Sequence, residues 1–181
     1  MRFTAVAAMA VAVGASAQAA QTSDRRVTVY LRENPSVPDT VKSTAKLMGS
    51  EMFAGIGVRI EWRLGQRAAS SAIAGAIAIE LVTETPGTFL PGALAYAQPY
   101  EGIHIQVFYD RIKYKPAPAE LLAHVMVHEI THILQGISRH SDSGIMKANW
   151  GGDDFQRMRY KPLSFTEEDV VLTHRGLAAR N

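Results

Sequence analysis

Four of the six histidines of this 181-residue chain fall between positions 124 and 140, in the run His124-Val-Met-Val-His128-Glu129-Ile-Thr-His132-Ile-Leu-Gln-Gly136-Ile-Ser-Arg-His140. Imidazoles at that density are suited to a metal ion. His128 and His132 are four residues apart, which on a helix stacks them on one face about 6 Å apart along the axis. Nitrogen donors converging in tetrahedral geometry favour zinc. Glu129 is rotated from His128 by about 100° around a helix, so it sits beside the ion rather than on it. A carboxylate there can take the proton of a zinc-bound water. Gly136 permits a left-handed turn that ends the helix and reverses the chain. His140 follows His132 by eight residues, a distance that lets a short return loop present a third imidazole.

The remaining chemistry-bearing residues are weaker candidates. Three histidines at i, i+4 and i+8 span about 12 Å of helix axis, too far for one tetrahedral ion with ligands near 2 Å. His124 therefore reads as a buried or cleft-edge histidine with a backbone partner. His104 and His174 belong to strand and helix stripes. Asp153-Asp154 lacks the fuller oxygen-ligand spacing of a calcium loop and reads as solvated.

A helix opened by Pro116 and Pro118 with Glu120 and closed by Gly136 must carry this run. Val27-Thr-Val-Tyr-Leu31 reads as a first strand, and Val41, Ala45, Met48, Met52 and Ile56 mark one face of a helix. Val58 to Leu64 alternates as a half-buried strand, Ala76 to Val82 is apolar enough for a central one, Ala93 to Gln98 reads as an edge and Ile103 to Tyr109 as an inner strand. Arg67 to Gly75 is a loop, and residues 137–163 form a long irregular segment. Ser164-Phe-Thr-Glu167 has capping-box spacing before a terminal helix with Val170, His174 and Leu177 on one face. The order strand, helix, four strands, two helices, without repeats, predicts a single domain over residues 21–181 of α+β class.

Composition bounds the rest. With 47% hydrophobic and 20% charged residues the chain is globular, and a net charge of +2 implies no nucleic-acid partner. It has no cysteine, which excludes disulfides and a cysteine nucleophile. Residues 1–20 carry one charge, Arg2, then an Ala/Val-rich run and the sites Ala15-Ser16-Ala17 and Ala17-Gln18-Ala19. That is the pattern of a signal peptide, predicting a secreted or periplasmic protein with no stable membrane insertion after cleavage.

From His128 to Met146 the chain resembles the metzincin clan of zinc endopeptidases, and is most similar to its smaller matrixin-like members. Their pattern is a His-Glu-x-x-His helix, a Gly turn, a third His and a Met-turn. The resemblance implies zinc ligation by His128, His132 and His140, base catalysis by Glu129 and a supporting floor at Met146. Ser141, directly after the third His, also matches. In the usual spacing Gly and His lie three and six residues beyond the second ligand, positions held here by Gln135 and Ser138; this chain places Gly136 at four and His140 at eight. Asp142, Glu167 or Glu168 are the alternatives to His140. Tyr160 is a candidate for contacting an oxyanion, because Ala148 holds the place where some metzincins carry a tyrosine.

The implied fold is a metzincin-like zinc-protease domain: a twisted mixed sheet, an active-site helix, a C-terminal helix and a cleft above a lower part built from residues 137–181. The implied activity is zinc-dependent hydrolysis of peptide bonds in peptide or protein substrates. Two alternatives stay open, a zinc hydrolase of another amide or ester in the cell envelope and a non-catalytic zinc-stabilised binding domain.

Overall fold

A computed structural model describes residues 25–65, 75–97 and 103–180. The leader, the loop from Arg67 and residue Gln98 lie outside the described residues. Five strands, β1 (Arg26–Leu31), β2 (Arg59–Leu64), β3 (Ile77–Val82), β4 (Ala95–Ala97) and β5 (His104–Phe108), form one sheet in the order β2-β1-β3-β5-β4. All neighbours are parallel except β4, which pairs antiparallel to β5. The mixed sheet is thus the one expected, with the apolar run of β3 at its centre and the short β4 at its edge.

Alternation decides which face is covered. Val27, Val29 and Leu31, then Ile77, Ile79 and Leu81, then Ile105 and Val107 are buried, while Thr28, Tyr30, Glu80 and Gln106 between them are half-exposed. On the buried face lie α1 (Asp39–Ala54) and α3 (Pro118–Gln135), which pack on each other as well as on the strands. The stripe expected for α1 is present at Ala45 and Met52, and Phe53 beside it is fully buried against Phe165, ring centroids 5.6 Å apart. In β2 the alternation fails at its end, since Leu64 lies two-thirds exposed on the sheet edge.

Two helices correct the sequence reading. A single turn, α2 (Tyr109–Ile112), follows β5 directly, and α4 (Gly152–Met158) lies inside the segment read as irregular. Seven residues with only Phe155 and Met158 as large apolar positions are too few to show a period. Asp153-Asp154 opens α4 rather than a solvated loop: the Asp154 carboxylate accepts the Gly151 N–H at 2.9 Å and the Lys147 ammonium at 2.6 Å.

The terminal helix α5 (Glu167–Arg180) starts from a different cap than the one expected. Thr166, not Ser164, trades bonds with its first turn: the Asp169 N–H donates to Thr166 Oγ1 and the Thr166 N–H to Asp169 Oδ2. Its buried face runs through Asp169, Thr173 and Leu177, with Val170 and His174 flanking it. This face meets the end of α3 so closely that a Cβ on Gly176 would stand 1.8 Å from the Leu134 carbonyl oxygen.

Candidate functional site

The helix that carries the histidines is delimited by backbone conformation at both ends. Ala117, at φ 53°, turns the chain into Pro118, whose missing N–H costs nothing in the first turn. Gly136, at φ 68°, ends it with an N–H donated to the His132 carbonyl at 2.9 Å. Almost every residue between Leu121 and Leu134 is buried, so polar side chains on this helix must find partners.

The histidines and Thr131 do, and for the histidines the partners define tautomers, whereas Gln135 Oε1 is buried without a partner among the described residues. The Nδ1 of His128 lies 2.8 Å from the Ile145 carbonyl and that of His132 lies 3.0 Å from the Ile137 carbonyl. A carbonyl only accepts, so both rings carry their hydrogen on Nδ1 and present a lone pair at Nε2. Those two Nε2 atoms are 3.0 Å apart. Facing lone pairs at that distance repel unless a cation lies between them. A proton is disfavoured: burial, with the neighbouring imidazoles, pushes the pKa of His128 down to about 4, and burial pushes that of His132 to about 4 as well. A metal ion satisfies the same geometry.

The ring of His140 joins from the return loop, its centroid 5.3 Å from that of His128 and 4.9 Å from that of His132. One nitrogen from each of the three imidazoles lies within 4.8 Å of the others. Three nitrogen donors are a set that fits zinc. The alternatives to His140 are elsewhere: Asp142 is exposed, Glu167 is exposed at the start of α5, and Glu168 pairs with Arg139.

Glu129 faces a cleft of about 610 Å³ that His128 and His140 also line. Burial pushes its carboxyl up to a pKa of about 7. Leu94, Val125, Trp150 and Phe155 supply apolar walls. Met146 is fully buried, and its carbonyl accepts the Ser141 N–H at 2.8 Å.

His124 is the buried histidine with backbone partners that its spacing suggests. Its Nε2 accepts the Leu163 N–H at 3.0 Å, which leaves Nδ1 to donate to the Glu120 carbonyl at 2.6 Å. Tyr160 lies 82% exposed beneath Arg159 and does not line the cleft. His174 Nε2 bonds the Ile56 carbonyl at 2.7 Å and ties α5 to the end of α1.

Three further residues surround the site, and two of them, Arg139 and Asp169, were not visible in the sequence. Trp150 stands edge-on to both His124 and His128, centroids 6.2 and 5.5 Å away. Arg139 and Asp169 form a polar cluster with Ser141 beside His140. The only sequence signal for Asp169 is its place four residues before Thr173 and eight before Leu177, on what becomes the buried face of α5.

No family model matches the chain, and no curated protein matches it. Among solved structures it is similar to archaemetzincin from Methanopyrus kandleri, known from a crystal structure at 1.5 Å, with a TM-score of 0.60 and 14% sequence identity over 86% of this chain and 97% of that one. The chain thus has a mixed α/β fold of the archaemetzincin type, and within that fold it holds a histidine triad that suits a zinc ion.

Proposed function

We propose that this protein is an exported zinc-dependent metallopeptidase in which His128, His132 and His140 hold the ion and Glu129 is the general base. The observation that carries the proposal is the pair of tautomer-locked Nε2 atoms 3.0 Å apart, with a third imidazole converging and an unligated glutamate on the adjoining cleft. The archaemetzincin-like fold supports the same class of hydrolase. Among the described residues no carboxylate joins the three imidazoles, and a three-ligand set leaves a coordination position for substrate chemistry.

A zinc ion held there supplies Lewis acidity, making a water more acidic and a peptide carbonyl more electrophilic. Glu129 accepts a proton from the attacking water and returns it to the leaving amine. In the metal-free site burial raises this carboxyl to about 7, which makes it a stronger base than an exposed glutamate. The Ile145 and Ile137 carbonyls hold the rings of His128 and His132 in the orientation that keeps Nε2 available. The leader over residues 1–20 supports export.

Glu129→Gln keeps the size and removes the basicity. It is expected to retain close to one zinc per chain while peptide hydrolysis falls by roughly 10²- to 10⁴-fold; His132→Ala is expected to lose the metal. Elemental analysis and turnover of a peptide library read the two effects. Zinc loss in Glu129→Gln would make it a ligand, and full activity in a zinc-loaded variant would end this mechanism. Screening the same protein against cell-envelope amides and esters separates a peptidase from a hydrolase of those groups. Amino-terminal sequencing of the exported protein tests the leader, with a start after Ala17 or Ala19 expected.

A further inference from the structure

The three imidazoles are not held alike. His128 and His132 ride on a rigid helix, and each donates to a carbonyl. His140 sits on the return loop, exposed, and among the described residues its ring takes no hydrogen bond. This loop is also longer than the metzincin spacing, so something other than brevity must hold its third imidazole in place.

Both residues flanking His140 are gripped by one carboxylate. The Ser141 hydroxyl donates to Asp169 Oδ1 at 2.6 Å, and the Arg139 guanidinium donates to the same oxygen at 3.1 Å and to Ser141 Oγ at 3.1 Å. Asp169 is completely buried, and its other oxygen accepts the Thr166 N–H at 2.9 Å. The carboxylate is referenced to the helix bearing the other two histidines, since Gln135 donates to the Asp169 carbonyl at 3.2 Å and α5 abuts the end of α3 at Gly176. Side-chain bonds on both sides of one residue, together with the Ser141 N–H donated to the Met146 carbonyl, restrict its freedom before any ligand arrives, and bonds to a desolvated carboxylate are among the stronger ones.

The geometry points to Asp169 as a positioning residue for the metal centre, acting through Arg139 and Ser141 to pre-set His140 at the distance the other two imidazoles require. The inference rests on the reading of His140 as a ligand. The test compares zinc affinity of the whole purified chain, by competition with a chromophoric chelator, with thermal unfolding of the metal-free protein. Outer-shell partners of metal ligands are commonly worth 10- to 100-fold in affinity. Asp169→Asn is expected at the lower end, about 10-fold weaker, with Ser141→Ala in the same direction and smaller. In a His140→Ala background the Asp169 substitution should cost less than about 2-fold more, because the ring it positions is gone.

If Asp169→Asn lowers only the melting temperature and leaves affinity at the wild-type value, its role is structural and the inference is wrong. An equal loss with and without His140 means that it acts through another group, which also overturns it. If His140→Ala itself leaves affinity unchanged, the ligand assignment fails, and the two failures are told apart. Should Asp169→Asn not fold, Ser141→Ala and Arg139→Gln carry the same cycle, and wild-type affinity in both overturns the inference.

Discussion

The half of the molecule formed by the sheet, α1 and α3 and the half formed by the return segment from Ile137 to Thr166 are held together by different forces. In the first, Val29, Ile77, Ile105, Phe53, Leu122 and Ile130 are essentially inaccessible to water, and polar side-chain pairs such as Arg32 with Glu80 lie at the surface. In the second, few apolar residues are buried, among them Ile145, Met146, Met158 and Leu163, and backbone groups are satisfied from other elements. Leu163 donates to His124, while Ile145 and Ile137 accept from His128 and His132. The apolar half supplies stability without regard to detail. The polar half supplies geometry, and it does so through the histidines themselves.

The difference can be broken from the apolar side first. Leu122→Ala should cost about 2–5 kcal/mol, the range for a fully buried leucine, in urea denaturation, while the folded fraction keeps its zinc stoichiometry. Loss of metal without loss of stability would mean the halves are not separable in this way.

His124→Leu attacks the polar half. It leaves the Leu163 N–H buried without an acceptor, at a cost of about 1–3 kcal/mol. Amide exchange should quicken around Leu163 and stay slow in β3. Uniform quickening would place His124 in the common core instead.

Acid gives a gentler probe. Burial alone would raise the Asp169 carboxyl, but bonds from Ser141, Thr166 and Arg139 outweigh it and hold the pKa below the usual 3.8. A depressed folded-state value means that the unfolded chain takes up the proton first, so this stabilisation is present above pH 3.8 and is lost as pH falls through the folded value. Arg139 bridges this carboxylate to that of Glu168, the other charged group in the cluster. As pH falls below 3.8 the wild type should therefore lose stability more steeply than Asp169→Asn; parallel profiles would remove Asp169 from the account.

The smallest expected effect concerns the rim of the cleft. Phe108 donates to Leu94 at 2.8 Å, so along the antiparallel pair Tyr96 exchanges bonds with Gln106, and Ala95 and Ala97 turn theirs to the open edge. An extended substrate lying antiparallel to β4 would use those groups. Ala97→Pro removes one outward donor, about 0.5–1.5 kcal/mol, and should raise KM several-fold with kcat unchanged. An unaltered KM in a folded variant counts against docking on β4.

The apolar half was the readable half. The strand pattern at Val27 to Leu31, the apolar run at Ala76 to Val82 and the four-residue spacing of His128 and His132 are local signals, and the structure contains each element at its expected place. The cap of α5 was displaced because Ser164 and Thr166 offer similar hydroxyls two residues apart, and only the packed helix shows which one Asp169 meets. Asp169 itself was illegible: a carboxylate in a first turn ordinarily faces solvent and complements the helix dipole, and its burial follows from Arg139 and Ser141 being brought to it across 30 and 28 residues. His140 could be named as a candidate from distance along the chain, but that its ring, and not Asp142 or Glu168, lies beside those of His128 and His132 is a property of the folded loop.

The contact of Gly176 with Leu134 has a consequence for how this protein would look to saturation mutagenesis. Any side chain at 176 must displace the Leu134 carbonyl, which a Cβ would approach to 1.8 Å, and so tilts α5 away from the helix of the histidines. Asp169 moves with it. A screen scored on the proposed activity would then rank Gly176, which carries no reactive atom, beside Glu129, the proposed base, and a map of intolerant positions would draw the site one helix too large.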